Sequence, residues 1–276
     1  MMNRLKTFQN GIEGLTRTRS ETYPQVKVDE RQPRPAAPRS ARQGLTIEQM
    51  MAQLPHYPTE TALLGMCDDG LPVLFDLTDP RPGPILLTGE SGSGKTTLMQ
   101  GLLRSLIAAN SHFEVKYALI PAKPEEWAAY ENTTKHCFAF HPNYETDAGD
   151  TILRLAEIAE QRRVGKEMGA AIVLLIDDLR YMARADFDVR LNFEWLLKCG
   201  PDLGVWPVVS LPVAAAREMS RMVSYFRTRL IGHMSAENSS RITLFDGCSP
   251  ETLRPGKQFA VHVEDAWLRF SLPVRG

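Results

Sequence analysis

Eight consecutive residues carry the strongest chemical signal in the chain: Gly89, Glu90, Ser91, Gly92, Ser93, Gly94, Lys95 and Thr96. They fit the pattern G-x-x-x-x-G-K-[ST] at every fixed position. Glycines so placed let backbone N–H groups turn inward around a phosphate, and a following helix adds the positive end of its dipole. Lys95 then reaches the β- and γ-phosphates of a nucleoside triphosphate, and the Thr96 hydroxyl ligates Mg²⁺. The spacing predicts a site for ATP and Mg²⁺ whose contacts run from Gly89 to Thr97. A second signal, "IVLLIDDL", is an apolar run ending in two acids. Asp177, at the carboxyl end of a buried strand, is placed to hold Mg²⁺ through water. Asp178 beside it can polarise an attacking water as general base, the layout of hydrolysing motors, or it can cap the segment after the strand.

These residues need elements to position them, and the flanking sequence supplies an alternation of strand and helix. "ILLT" is a strand leading into the glycine-rich loop, and the helix from Thr96 gathers Leu98, Leu102, Leu103, Leu106 and Ile107 on one face. "VKYALI" is the next strand, followed by a helix from about Asp150 to Met168 that ends at Gly169. "AIVLLI" is apolar throughout, the pattern of a central strand covered on both faces. A helix around Leu191 to Cys199 precedes the strand "VWPVVSL", which Pro207 weakens, and then "TRLIGHM" and a closing pair, "QFAVHV" and "WLRFSL". Upstream, Thr46 and Gln49 have capping-box spacing for a helix that Pro55 stops, and "ALLGMCDDGLPVLFDL" reads as a hairpin turning at Asp69-Gly70. The alternation gives an α/β domain with a mainly parallel central sheet flanked by helices. It spans residues 44–276, with a lead-in helix and hairpin over 44–82 and the core over 83–276. Residues 1–43, arginine-rich and containing "RQPRPAAPRS", read as an extended basic arm that is either a plain solvated tail or a docking arm.

The ordered set of segments resembles the motor domain of the FtsK/HerA family of hexameric translocases from about Leu63 onward. "GLPVLFDLTDPRPGPILLTGESGSGKTTLMQGLL" is similar to that family's strand, proline joint, phosphate loop and helix. "ALIPAKPEEWAAYENTTKHC", "LIDDLRYMA", "LLKCGPDLGVWPVVSLP" and "SYFRTRLIGHMSAENSSRITL" resemble its later segments in the same order. The resemblance implies a RecA-like P-loop domain working as an ATP-hydrolysing ring motor, in which an arginine reaches a neighbouring subunit's nucleotide; Arg229 and Arg241 match by motif position. It also places the loop "ARADFDVR" toward a central channel, where Arg184 and Arg190 would touch phosphates while Asp186 and Asp188 dilute the field. Three departures stand out. Asp177-Asp178 replaces the usual Asp-Glu, setting the second carboxylate back by about one methylene. Val209-Ser210-Leu211-Pro212 replaces Thr-Gln-Arg-Pro, so the glutamine that senses the γ-phosphate is absent. Ser239-Ser240 replaces Asp-Ser before Arg241.

Composition narrows the class further. Of 276 residues, 43% are hydrophobic and the net charge is −1, so the surface is not a uniform polycation. The four cysteines form no C-x-x-C pair, and His136 and His141 of "HCFAFH" fall on opposite faces of a strand, which argues against zinc. No apolar run is long enough to span a bilayer and no signal peptide opens the chain, so a cytoplasmic location is expected. Three functions follow. The first is a homo-hexameric ATPase translocating double-stranded DNA by backbone contacts, its arm docking on a membrane protein or other partner. The second is a protein-export ATPase of related fold, and the third an ATP-gated assembly protein with slow turnover.

Overall fold

Apolar runs too short to cross a membrane must find cover from one another, and here they do so within one sheet. The computed structural model describes residues 44–54, 57–131, 135–165, 168–240, 247–263 and 266–274. Its elements are α1 (Ile47–Ala52), β1 (Thr61–Cys67), β2 (Pro72–Asp76), β3 (Ile85–Gly89), α2 (Lys95–Ala109), β4 (Val115–Pro121), β5 (Cys137–Phe140), α3 (Thr146–Arg163), β6 (Ala171–Asp177), α4 (Phe187–Cys199), β7 (Val205–Pro212), α5 (Ser220–Val223), β8 (Thr228–Gly232), α6 (Ala236–Ser239), β9 (Gln258–Val263) and β10 (Ala266–Ser271), joined by short 3-10 turns. The ten strands are ordered β2-β1-β10-β9-β8-β3-β7-β6-β4-β5. From β8 to β5 the neighbours are parallel; from β8 to β2 they are antiparallel. This is the mainly parallel, helix-flanked sheet that the alternation predicts.

β6 shows why the parallel half is stable. Val173 and Leu175 pack with Leu98, Met99 and Leu102 of α2 on one face of the sheet. Ile172, Leu174 and Ile176 pack with Ile152 and Leu155 of α3 and Phe193 and Leu196 of α4 on the other. A strand buried on both faces can be apolar throughout, and each such side chain contributes about 2 kcal/mol over its exposed state. Pro207 is accommodated inside β7 because pairing with β3 begins only at the next residue, Val208. The hairpin turns at Asp69-Gly70: Gly70 has φ +84°, Asp69 Oδ1 accepts from Leu71 N–H, and Cys67 and Leu71 bond across the turn. α1 has the capping box set by Thr46 and Gln49.

Several boundaries differ from those read in the sequence. α3 runs from Thr146 to Arg163 rather than Asp150 to Met168, because Gly165 (φ +89°) supplies the left-handed exit before Gly169 is reached. α4 begins at Phe187, not Leu191: Asp186 takes the N-cap position and Asp188 the first turn. Arg190 therefore lies on a helix, not in a loop with Arg184. The closing pair β9–β10 inserts between β8 and the hairpin, so β1 and β2 extend the same sheet through β10. The arm over 1–43 and the Pro55 stop lie outside the described residues. No helix among the described residues is long and apolar enough to cross a membrane.

Candidate nucleotide site

The site is assembled at the carboxyl edge of three adjacent parallel strands, β3, β7 and β6. β3 ends at Gly89 and gives way to the phosphate loop, which reaches α2 through Gly92 (φ +76°) and Gly94 (φ +96°). Gly94 is the N-cap of α2 and has no side chain to offer as a cap, so the first-turn N–H groups of the helix are left for another acceptor. Lys95 folds back over the loop: its Nζ donates to Gly89 O at 3.1 Å, Glu90 O at 2.8 Å and, more weakly, Ser93 Oγ at 3.4 Å. Burial pushes the Lys95 ammonium below the usual lysine range, and the nearby Asp177 and Asp178 charges work against that shift.

Sheet register brings the distant acids to the loop. β7 lies between β3 and β6, with Ser210 opposite Leu87 and Val209 opposite Ile176. Asp177, one step past Ile176, is thereby set beside Ser210 and across from α2. Thr96 Oγ1 donates to Asp177 Oδ2 at 3.0 Å, and Ser210 Oγ donates to the other oxygen, Oδ1. A hydroxyl and a carboxylate that meet in this way are a hard-oxygen pair of the kind Mg²⁺ takes, with its remaining positions going to water and phosphate rather than to more protein ligands. The residues present fit that ion.

Asp178 has a different setting. It is only 8% exposed, its Oδ1 accepts from Arg180 N–H at 2.9 Å, and its Oδ2 accepts from Arg180 Nε at 2.8 Å. It is the N-cap of the 3-10 turn over Leu179–Ala183. The capping alternative is thus realised, whatever else the carboxylate does. Arg229 is not brought to the loop of its own chain. It pairs in register with Leu86, three residues short of Gly89, or about 10 Å down the strand. Its Nη2 donates to Val223 O at 3.3 Å, and burial lowers its guanidinium's pKa. Arg241 lies outside the described residues. Arg184 is exposed in the turn before α4, and Arg190 is half-buried in that helix's first turn.

Three participants are not legible from the motifs. Ser210 stands where the resembled family has its γ-phosphate-sensing glutamine, and its hydroxyl goes to Asp177. Glu90, at a variable motif position, bonds to Ser235 and Asn238. Gly256 packs against the loop, since a Cβ on Gly94 would lie 3.1 Å from Gly256 Cα. Only the Ser235-x-x-Asn238 helix-start spacing leaves a trace in the sequence.

No protein-family model matches this chain, and no curated protein matches it. Solved structures do. Two-ATPase fragments of Thermomonospora curvata EccC, in complex with a signal sequence peptide, and of Geobacillus thermodenitrificans EssC each superpose with a TM-score of 0.63 at 18% identity. They cover 82% and 81% of this chain, which spans only 43% and 49% of theirs. The pCW3 conjugation coupling protein TcpA, determined with ATPγS, gives a TM-score of 0.58 at 14% identity, over 79% of this chain and 67% of TcpA. At such identities the likeness establishes the fold: this chain has the RecA-like architecture of P-loop ATPase domains.

Proposed function

We propose that this chain binds ATP with Mg²⁺ at the Gly89–Thr97 loop, hydrolyses it, and works as the motor of a homo-oligomeric ring. One observation carries the reading: Thr96 and Asp177, far apart in sequence, meet at 3.0 Å beside the loop that Lys95 closes. In this role the loop N–H groups and Lys95 bind the β- and γ-phosphates, and Thr96 and Asp177 hold the metal, which supplies charge neutralisation across the phosphates. Ser210 keeps Asp177 turned toward Thr96. Asp178 takes a proton from the attacking water after it gives up the Arg180 guanidinium. Arg229 or Arg241 acts across a subunit boundary, stabilising charge on the transferred phosphoryl group.

Two cargoes have support. Double-stranded DNA, our leading reading, rests on the sequence resemblance to DNA translocases and on likeness to a conjugation coupling protein. A polypeptide cargo rests on likeness to EccC, a secretion ATPase one of whose structures holds a signal sequence peptide. It also suits a net charge of −1 and the acids Asp186 and Asp188 beside Arg184 and Arg190. The test is steady-state ATP hydrolysis by the full-length chain, alone, with long duplex DNA at two salt concentrations, and with candidate export peptides. Stimulation by DNA that fades steeply with salt supports translocation of DNA. Stimulation by a peptide alone transfers the motor to protein. Tight ATP binding with negligible turnover under every condition overturns the motor and leaves an ATP-gated assembly protein.

A further inference from the structure

Glu90 occupies a variable position of the phosphate-loop motif, whose chemistry asks nothing of it, yet among the described residues no other side chain of the loop makes as many hydrogen bonds to a distant segment. Its Oε1 accepts three hydrogen bonds: from Ser235 N–H at 2.8 Å, Ser235 Oγ at 2.7 Å and Asn238 Nδ2 at 2.6 Å. Its backbone N–H donates to His233 O at 3.0 Å. One residue thus joins the loop to the turn between β8 and α6 through both main chain and side chain. These donors hold the carboxyl near a pKa of about 2, so it stays ionised at any working pH. On its other side the loop meets the turn over Arg254–Lys257, where a Cβ built on Gly256 would lie 3.4 Å from Gly92 O. A carboxylate within a loop that encloses phosphates repels them unless other donors claim it and hold it aside. Ser235 and Asn238 do both.

We propose that Glu90 is a positioning residue that clasps the phosphate loop to the β8–α6 turn, fixing the loop in its receptive shape and linking nucleotide occupancy to the conformation of that turn. The inference rests on the ATP-binding reading above. The link is reciprocal: a nucleotide that steadies the clasp is itself held more tightly by it.

The experiment compares the full-length chain with Glu90→Ala, Glu90→Gln and Asn238→Ala. It reads amide hydrogen exchange over residues 233–240 with and without ATPγS and Mg²⁺, together with KM and kcat for ATP. Glu90→Ala should speed exchange at the Ser235 amide without nucleotide, raise KM about tenfold with kcat changed less than threefold, and erase the nucleotide-dependent protection. Glu90→Gln keeps an acceptor and should restore most of that protection; Asn238→Ala, which removes one bond of the three, should fall between. Glu90→Ala with wild-type KM and intact protection overturns the clasp while leaving ATP binding in place. If Glu90→Ala does not fold, Asn238→Ala decides, and wild-type behaviour there overturns the clasp equally. A wild-type chain that binds no ATPγS sinks the ATP reading and the coupling with it, whereas slower Ser235 exchange relative to the variants would still report the contact itself.

Discussion

Lys95 and Asp178 are both charged groups that the proposed chemistry must draw on, and the fold holds them in opposite ways. The Lys95 ammonium rests on the carbonyls of Gly89 and Glu90, neutral acceptors that a phosphate outcompetes by charge. The Asp178 carboxylate is bound at both oxygens to Arg180, once through a backbone N–H and once through a guanidinium. Exchanging partners is easy at the first site. At the second, a charge-assisted bond has to break before the carboxylate can turn to water. On the proposed function, Lys95 can thus exchange its partners for a phosphate directly, whereas Asp178 must first part from Arg180.

The variants that break this comparison can be ranked by size of effect. Lys95→Ala should weaken ATP binding by about 100-fold or more, since it removes the ammonium proposed to bind the β- and γ-phosphates, with the circular dichroism spectrum unchanged. Equilibrium titration with a fluorescent ATP analogue measures it. Asp178→Asn keeps a capping oxygen but cannot accept a proton. Single-turnover hydrolysis should fall about 100-fold while the melting temperature stays within a few degrees. Unchanged hydrolysis would reduce Asp178 to a cap. Ser210→Ala releases one oxygen of Asp177, and Mg²⁺ should then be needed at about tenfold higher concentration for half-maximal turnover. Arg180→Ala frees Asp178 Oδ2 from an exposed partner, so turnover should rise up to about threefold at little cost in stability. The pH dependence is the smallest effect and carries a definite sign. Because burial lowers the Lys95 pKa, ATP affinity should begin to fall, as pH rises, at a lower pH than for an ordinary lysine near 10.4. The same deprotonation relieves the cost of burying a charged ammonium, so the unliganded fold should not lose stability from Lys95 over that range. Binding and thermal melts from pH 7 to pH 10 separate the two.

Much of the architecture was legible because it is written in local patterns. The double-faced burial of β6 follows from its unbroken apolar run, and the hairpin turn from Asp69-Gly70. The capping box at Thr46 and Gln49 was legible from spacing alone. What misled was competition among near-equivalent signals. Gly165 and Gly169 can both end α3, and the nearer one does. Asp186 can stand at the N-cap position of α4 as well as belong to a loop, and the helix that starts after it, one turn before Leu191, takes in Arg190. Ser210 offers a hydroxyl to whatever lies opposite, and the identity of that partner is a matter of register between β6 and β7 that no local pattern encodes.

By itself the sequence determined the phosphate loop, its helix, the acid at the end of an apolar strand and the α/β class. Each of these depends on residues a few positions apart and on periodicities of the backbone. Only the tertiary structure decided that Ser210 holds Asp177, that Arg180 engages Asp178, that Glu90 reaches Ser235 and Asn238, and that β9–β10 carries the hairpin into the same sheet. Those facts depend on which strands lie side by side and in what register. That is settled by burying the two faces of β6 and its neighbours, a sum over many weak contacts that no single residue specifies.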